Sequence, residues 1–215
     1  MPTQELKRDD MPVKASGRDK PYRDHESIRK KVAEAIRKSI VENGIDSVTN
    51  RKIARDLGYS TSIIQHYFSN KHEMMSYVHS YTDNLAMAHV AQALQTHEGR
   101  LKPCVTAFLP MDEERRTNWL VWIAYWGYAV ADAEFSDIQR TGVQAAREII
   151  NDRIDALKAA GLIGAHIDSA NAARRLMALI QGVSLQAAFD PDDWPAERQA
   201  LILESECERL TGLTD

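Results

Sequence analysis

Residues 44–75, GIDSVTNRKIARDLGYSTSIIQHYFSNKHEMM, constrain this chain more than any other stretch. Thr49 is a good N-cap for a helix from Asn50 to Leu57, on which Ile53, Ala54 and Leu57 form an apolar face. Ala54 is small enough to let another helix approach closely. Gly58 can take a positive φ and end that helix. Ser60 can then cap a second helix from Thr61 to Tyr67, with Ile64 and Phe68 turned to a core. Lys71 opens a third helix.

A short helix, a tight turn and a second short helix with a polar outer face make the layout of a helix-turn-helix DNA reader. The alternative is a helical hairpin with no DNA role, but a plain bundle has no need of a seven-residue helix with a polar face. Thr61, Ser62, Gln65 and His66 carry short polar side chains suited to base edges. Thr49, Ser60, Tyr67 and Lys71 are placed to position phosphates, with Arg51 as a further contact. The free N–H groups where the third helix begins favour a phosphate nearby.

This segment resembles the DNA-binding domain of TetR family regulators. The matching residues are Gly44, Thr49, Ile53, Ala54, Gly58, Ser60, Tyr67, Phe68 and Lys71. The run STSIIQHYFSNK is similar to the BetI-like branch. Many relatives have glycine where this chain has Ser62 and an aromatic where it has Gln65, a departure that bears on which operator is read.

The remainder reads as helix, so the fold class expected is all-α. A three-helix DNA-binding domain spans residues 23–75, and a helical ligand-binding and dimerisation domain spans 76–215. Residues 1–22 are polar, with three prolines and a glycine, and read as a flexible arm. Its basic residues either touch DNA or form a solvated tail. The first helix is expected from about Asp24 to Asn43, and a long helix from Lys71 to about Thr96 links head to body. Further helices are expected over 102–109, 113–131, 135–160, 168–189 and 195–212.

Charge is divided the same way. Residues 1–80 carry 15 Lys and Arg against 11 Asp and Glu, net +4, whereas residues 81–215 carry 12 against 20, net −8. Only the first part has the balance expected of a surface that meets nucleic acid. The longest strongly apolar run, Trp119 to Ala131, has thirteen uncharged residues, too short to cross a bilayer. Cys104 and Cys207 have no metal or redox spacing, and no secretory signal is visible, so a reducing cytoplasm is expected. Seven scattered histidines give no metal site, there is no P-loop or GxGxxG, and no catalytic constellation appears.

Within the body, Trp119, Trp122, Ile123 and Trp126 share one helical face, flanked by Tyr125 and Tyr128. Such a stripe either fills a core or walls a ligand cavity, and tryptophan faces suit quaternary ammonium and other cations. The candidate ligand contacts are Trp119, Trp122, Tyr125, Trp126 and Met177. Helices 168–189 and 195–212 carry more apolar surface than one face needs, so a homodimer is expected across a two-fold four-helix bundle. The segments RTNWLVWIAYWGYAV and RTGVQAAREIINDRIDALKAAG resemble the C-terminal domain of BetI-like regulators, extending the likeness to residues 24–212. That resemblance implies a ligand site among the middle helices and a dimer formed by the last two, and some BetI-like regulators respond to choline-type compounds. The function expected is a ligand-released repressor of a pseudo-palindromic operator, with an unidentified small-molecule effector, no cofactor and no membrane partner. An activator, or a co-regulator of the same fold that does not bind DNA, shares nearly every one of these features.

Overall fold

A computed structural model describes residues 20–212, and their side chains from His25 onward. Among these residues all regular structure is helical. The helices are α1 (Lys20–Asn43), α2 (Asn50–Leu57), α3 (Thr61–Tyr67), α4 (Lys71–Thr96), α5 (Leu101–Thr106), α6 (Glu113–Ala129), α7 (Ala133–Ala159), α8 (Ser169–Phe189) and α9 (Ala196–Thr211). One 3₁₀ turn, Ile45–Ser47, joins α1 to α2.

The helix ends follow side-chain chemistry. Thr49 Oγ1 accepts from the Lys52 amide at 3.2 Å, and Ser60 Oγ from the Ile63 amide at 3.4 Å. Gly58 closes α2 at φ 69°, a left-handed conformation that glycine adopts without steric cost. Asn70 caps α4 by accepting from Glu73 N at 2.8 Å, and Glu73 Oε2 accepts from the Ser69 amide at 2.8 Å. The Ser69 amide bond, reinforced by Arg29, holds the Glu73 carboxyl below its usual range. Asp112, Asp132 and Asp168 cap α6, α7 and α8.

Several boundaries differ from the sequence expectation. Helix α1 begins at Lys20 rather than near Asp24, so the last residues assigned to the arm are helical; residues 1–19 lie outside the described residues. The helix expected over 102–109 stops at Thr106, where Thr106 Oγ1 turns back onto the carbonyls of Lys102 and Pro103. The helix expected over 113–131 ends at Ala129, because Asp132 caps the next helix immediately.

Two apolar cores result. The first joins Val32, Ile36 and Ile40 of α1, Ile53 of α2, Ile64 of α3 and Met74, Met75 and Val78 of α4. Val121, Tyr125 and Phe135 complete it from α6 and α7. The second joins Val90, the α5 segment, Trp119, Ile150, Ile154, Leu176, Met177 and Ile180 with Leu203 and Cys207. Helix α6 therefore serves both, and it packs on α1, α4, α7 and α8. That double burial accounts for its uncharged run, since a helix apolar on every side belongs inside. Both cysteines are buried and free, and burial pushes their thiols up to about 11 for Cys104 and about 12 for Cys207, which leaves them inert. No helix among the described residues is long and apolar enough to cross a membrane.

A buried arginine crosses this seam. Arg37 of α1 is only 4% exposed, yet its guanidinium donates to Glu34 at 2.9 Å and to Asn118 Oδ1 on α6. The ring of Tyr81 lies 5.9 Å away. Arg37→Ala would leave the buried Asn118 amide without its donor, at a cost of about 1–3 kcal/mol. Urea unfolding should show the loss as a lower midpoint, and an unchanged midpoint would mean that the contact adds nothing to stability.

Candidate nucleic-acid interface and ligand cavity

Helix α3 turns Ile64 inward and leaves Thr61, Ser62, Gln65 and His66 exposed on a common outer surface. Ser60 and Ser62 share a hydrogen bond at 2.8 Å, which steadies the start of the helix. Tyr67 is half-buried against His25, with ring centroids 4.5 Å apart, and His66 meets Tyr67 edge-on at 5.2 Å. Thr49 and Arg51 are exposed beside this surface. Ile63, which the sequence reading leaves unassigned, is also 38% exposed on α3. An apolar side chain there suits the methyl group of a thymine.

Lys71 is exposed but not idle. Its ammonium reaches Tyr128 Oη at 3.4 Å, and that hydroxyl donates to Asp46 Oδ1 at 3.2 Å. The C-terminal end of α6 thus touches both the first helix-turn segment and the start of α4. Next to it, His72 stacks on Phe135 at 4.3 Å and lies 3.1 Å from Glu134.

The tryptophans do not merely fill the core. Trp119, Trp122 and Trp126 wall a cavity of about 180 Å³, closed on the other sides by residues of α4, α7 and α8 that include Asp83, Gln139, Gly142, Met177 and Gln181. Trp119 stands perpendicular to both neighbours, at 88° to Trp122 and 89° to Trp126, with centroids 5.3 and 6.4 Å apart. Its indole N–H donates to the Phe108 carbonyl at 2.8 Å, which fixes the ring. The Trp122 indole N–H donates to Asp83 Oδ1 at 2.9 Å. His79 Nδ1 lies 3.1 Å from Asp83 Oδ2, in ion-pair range but out of line for a hydrogen bond, and its Nε2 meets Gln139 Oε1 at 3.2 Å. Asp83 was not anticipated: a single acid on a long helix carries no sequence signal until folding sets it beside an aromatic wall.

Of the five sequence-based ligand candidates, Trp119, Trp122, Trp126 and Met177 line this cavity. Tyr125 does not. It points into the head core from an adjoining side of α6, packing at 4.4 Å on His79 and 4.8 Å on Phe135, and burial pushes its phenol far up. A residue three from Trp122 and one from Trp126 cannot share a face with both. Among the described residues no cluster of three or more His, Cys, Asp or Glu could hold a metal ion.

Comparison with known proteins decides the family. Residues 32–78 match the family described as bacterial regulatory proteins of the tetR family, and residues 97–212 match the C-terminal domain of BetI-type transcriptional repressors. The chain belongs to the TetR family. As a TetR family member it is a transcriptional regulator with a helix-turn-helix DNA-binding segment. It is 28% identical over 173 residues to the HTH-type transcriptional regulator PksA of Bacillus subtilis, covering 78% of this chain and 82% of that one. It is 23% identical to the regulator BetI of Vibrio campbellii, over 82% and 88% of the two chains. Among solved structures, a putative regulator from Saccharomonospora viridis in complex with choline shares the fold at TM-score 0.77 and 22% identity, covering 86% and 98%. A transcriptional regulator from Rhodococcus sp. Rha1 does so at TM-score 0.76 and 21% identity, covering 87% and 99%.

For this TetR family chain, Lys71→Ala should weaken binding on every DNA sequence alike and lower the slope of log affinity against log salt by about one. Fluorescence anisotropy at three or more salt concentrations measures that slope. If it is unaltered, Lys71 makes no phosphate contact.

Proposed function

We propose that this regulator is a homodimeric, ligand-released repressor whose effector is a small organic cation. The observation that carries the reading is the wall of three tryptophans, with Trp119 perpendicular to Trp122 and to Trp126, closed by the Asp83 carboxylate. Tryptophan faces attract a quaternary or protonated amine by about 0.5–2 kcal/mol each, more when water is excluded. A carboxylate on the wall supplies the counter-charge. The cavity is smaller than the roughly 300 Å³ at which drug-sized sites begin, which suits a compact ligand. The choline found in the Saccharomonospora relative supports the same chemistry.

In this reading α3 enters a major groove, where Thr61, Ser62, Gln65 and His66 meet base edges and Ile63 adds an apolar contact. Thr49, Arg51, Ser60, Tyr67 and Lys71 hold phosphates. Residues 23–75 form the DNA-binding unit and residues 76–215 the sensing and dimerising one. The dimer forms through α8 and α9, where Phe189 and Leu201 remain 67% and 65% exposed in the single chain and Gly182 has open space above it. Large apolar side chains left out in this way support a partner surface. No resident cofactor is required, and the cytoplasm is the compartment of action.

Release follows from packing. A cation drawn between Asp83 and the tryptophans displaces α4 relative to α6, and α6 is tied to the head through Asn118–Arg37 and Tyr128–Lys71. Half-sites lie about 34 Å apart or a multiple of that, so heads shifted by a few ångströms cannot enter both grooves at once.

The test is binding of the purified protein to DNA from upstream of its own gene, against scrambled DNA of equal length, at two salt concentrations. Tight, salt-dependent, sequence-selective binding at two protomers per site, weakened by choline or tetramethylammonium, is the expected result. Weak and equal binding on both DNAs would favour a co-regulator without DNA recognition, and raised promoter output would favour an activator. Gln65→Ala should relax preference at one operator position by about 1–3 kcal/mol, read from an operator library. Trp122→Ala should reduce the response to the cation while leaving operator affinity nearly unchanged. Intact release in that variant would return the tryptophans to a purely packing role.

A further inference from the structure

The cavity does not end at its tryptophans. Trp126, Gln139, Val143 and Gln181 line both the cavity and an open groove beside it on the surface of α6, α7 and α8. On α7 the two follow from helical spacing. Gln139, Gly142, Val143 and Ala146 face the cavity, whereas Ser136, Arg140, Val143 and Arg147 face the groove, on the adjoining stripe. Cavity and groove therefore adjoin, with Trp126, Gln139, Val143 and Gln181 at their common boundary.

Charge is segregated between the two. The cavity holds the Asp83 carboxylate and no lysine or arginine. The groove holds Arg140 and Arg147 and no acid. Arg140 is paired at 2.9 Å with Asp137, outside the lining, so its charge is partly answered. Arg147 is half-buried, and no described carboxylate lies within ion-pair distance of it. At the junction the indole N–H of Trp126 is buried with no acceptor among the described residues. A buried donor without a partner is costly and marks a place where a ligand acceptor would be favourable. A plain cation satisfies the inner end and leaves all of these outer donors unused. It would also approach past two positive charges.

We propose that the ligand is a zwitterion, with an ammonium group among the tryptophans against Asp83 and a carboxylate or phosphate at Arg147, Arg140 and the Trp126 indole. This rests on the cationic site proposed above and names the other end of the ligand. The spacing is consistent with a small molecule. Asp83 lies against α7 at Gly142, where an added Cβ would stand 3.5 Å from Oδ2. From Gly142 to Arg147 the helix advances about 7.5 Å, a gap that a few carbon atoms and a flexible arginine span.

The experiment compares choline with phosphocholine and with trimethylammonio-carboxylates of two to six chain carbons, using tryptophan fluorescence and calorimetry on the full-length protein. The wild type should bind at least one anionic-ended compound about tenfold more tightly than choline. Arg147→Gln, alone and with Arg140→Gln, should abolish that preference without weakening choline, whose affinity stays equal or rises as the positive charges are removed, and should leave melting temperature and sedimentation unchanged. Arg147→Lys should retain part of the preference. Equal affinity for choline and every anionic-ended compound in the wild type would overturn the proposal. So would a preference that survives the double variant, or a double variant that falls apart into monomers with its preference intact, which would assign the arginines to the dimer surface. Binding of none of these cations would instead sink the cationic site itself, and the zwitterion with it. Asp83→Asn separates the two readings, since it should weaken choline and the zwitterions alike.

Discussion

Helix α6 has to satisfy two cores at once, and much of the molecule is arranged around that requirement. No residue from Arg115 to Trp126 is exposed. Val121 and Tyr125 face the head, while Trp119 faces the body. A helix held on four sides has little room to move alone, because interiors are packed at crystal-like density. Any change in what fills the space beside its tryptophans must be taken up by its neighbours α1, α4, α7 and α8.

The polar contacts across this seam are few and specific. Arg37 to Asn118 ties α1 to α6, Trp122 to Asp83 ties α6 to α4, and Tyr128 links the end of α6 to Lys71 and Asp46. Within the body, Arg116 ties α6 to α8, donating to the Ala188 carbonyl at 2.8 Å. Each joins a segment near the proposed ligand site to one that carries the head or the far helices. Buried hydrogen bonds of this kind set geometry more than they add net stability, because their value lies in a single allowed arrangement.

What was legible in the sequence was local. Thr49, Gly58 and Ser60 mark α2 and α3 to the residue because caps and left-handed turns act within three or four positions. The tryptophan stripe was visible for the same reason, since i, i+3 and i+7 share a face. Its partners were not. Asp83 is 39 residues from Trp122, Asn118 is 81 from Arg37, and Lys71 is 57 from Tyr128. No short-range pattern distinguishes these residues from solvated ones. Tyr125 shows the converse error: neighbours in sequence within an aromatic run project in different directions, so adjacency to Trp126 said nothing about sharing its cavity. The sequence reading leaves Ile63 unassigned, because nothing in an apolar residue on a short helix marks it as exposed.

The start of α4 carries a further consequence. Asn70 and Glu73 close its first turn from both directions, and Arg29 lies 3.6 Å from Glu73 while its guanidinium covers the rings of Phe68 and Tyr77 at 4.7 and 4.4 Å. Helix ends ordinarily unravel at little cost. This one is clamped, so in the proposed release a displacement at Asp83, some twelve residues downstream, would lose little to unwinding of the terminal turn before it reached α3, as in a rod with a fastened tip.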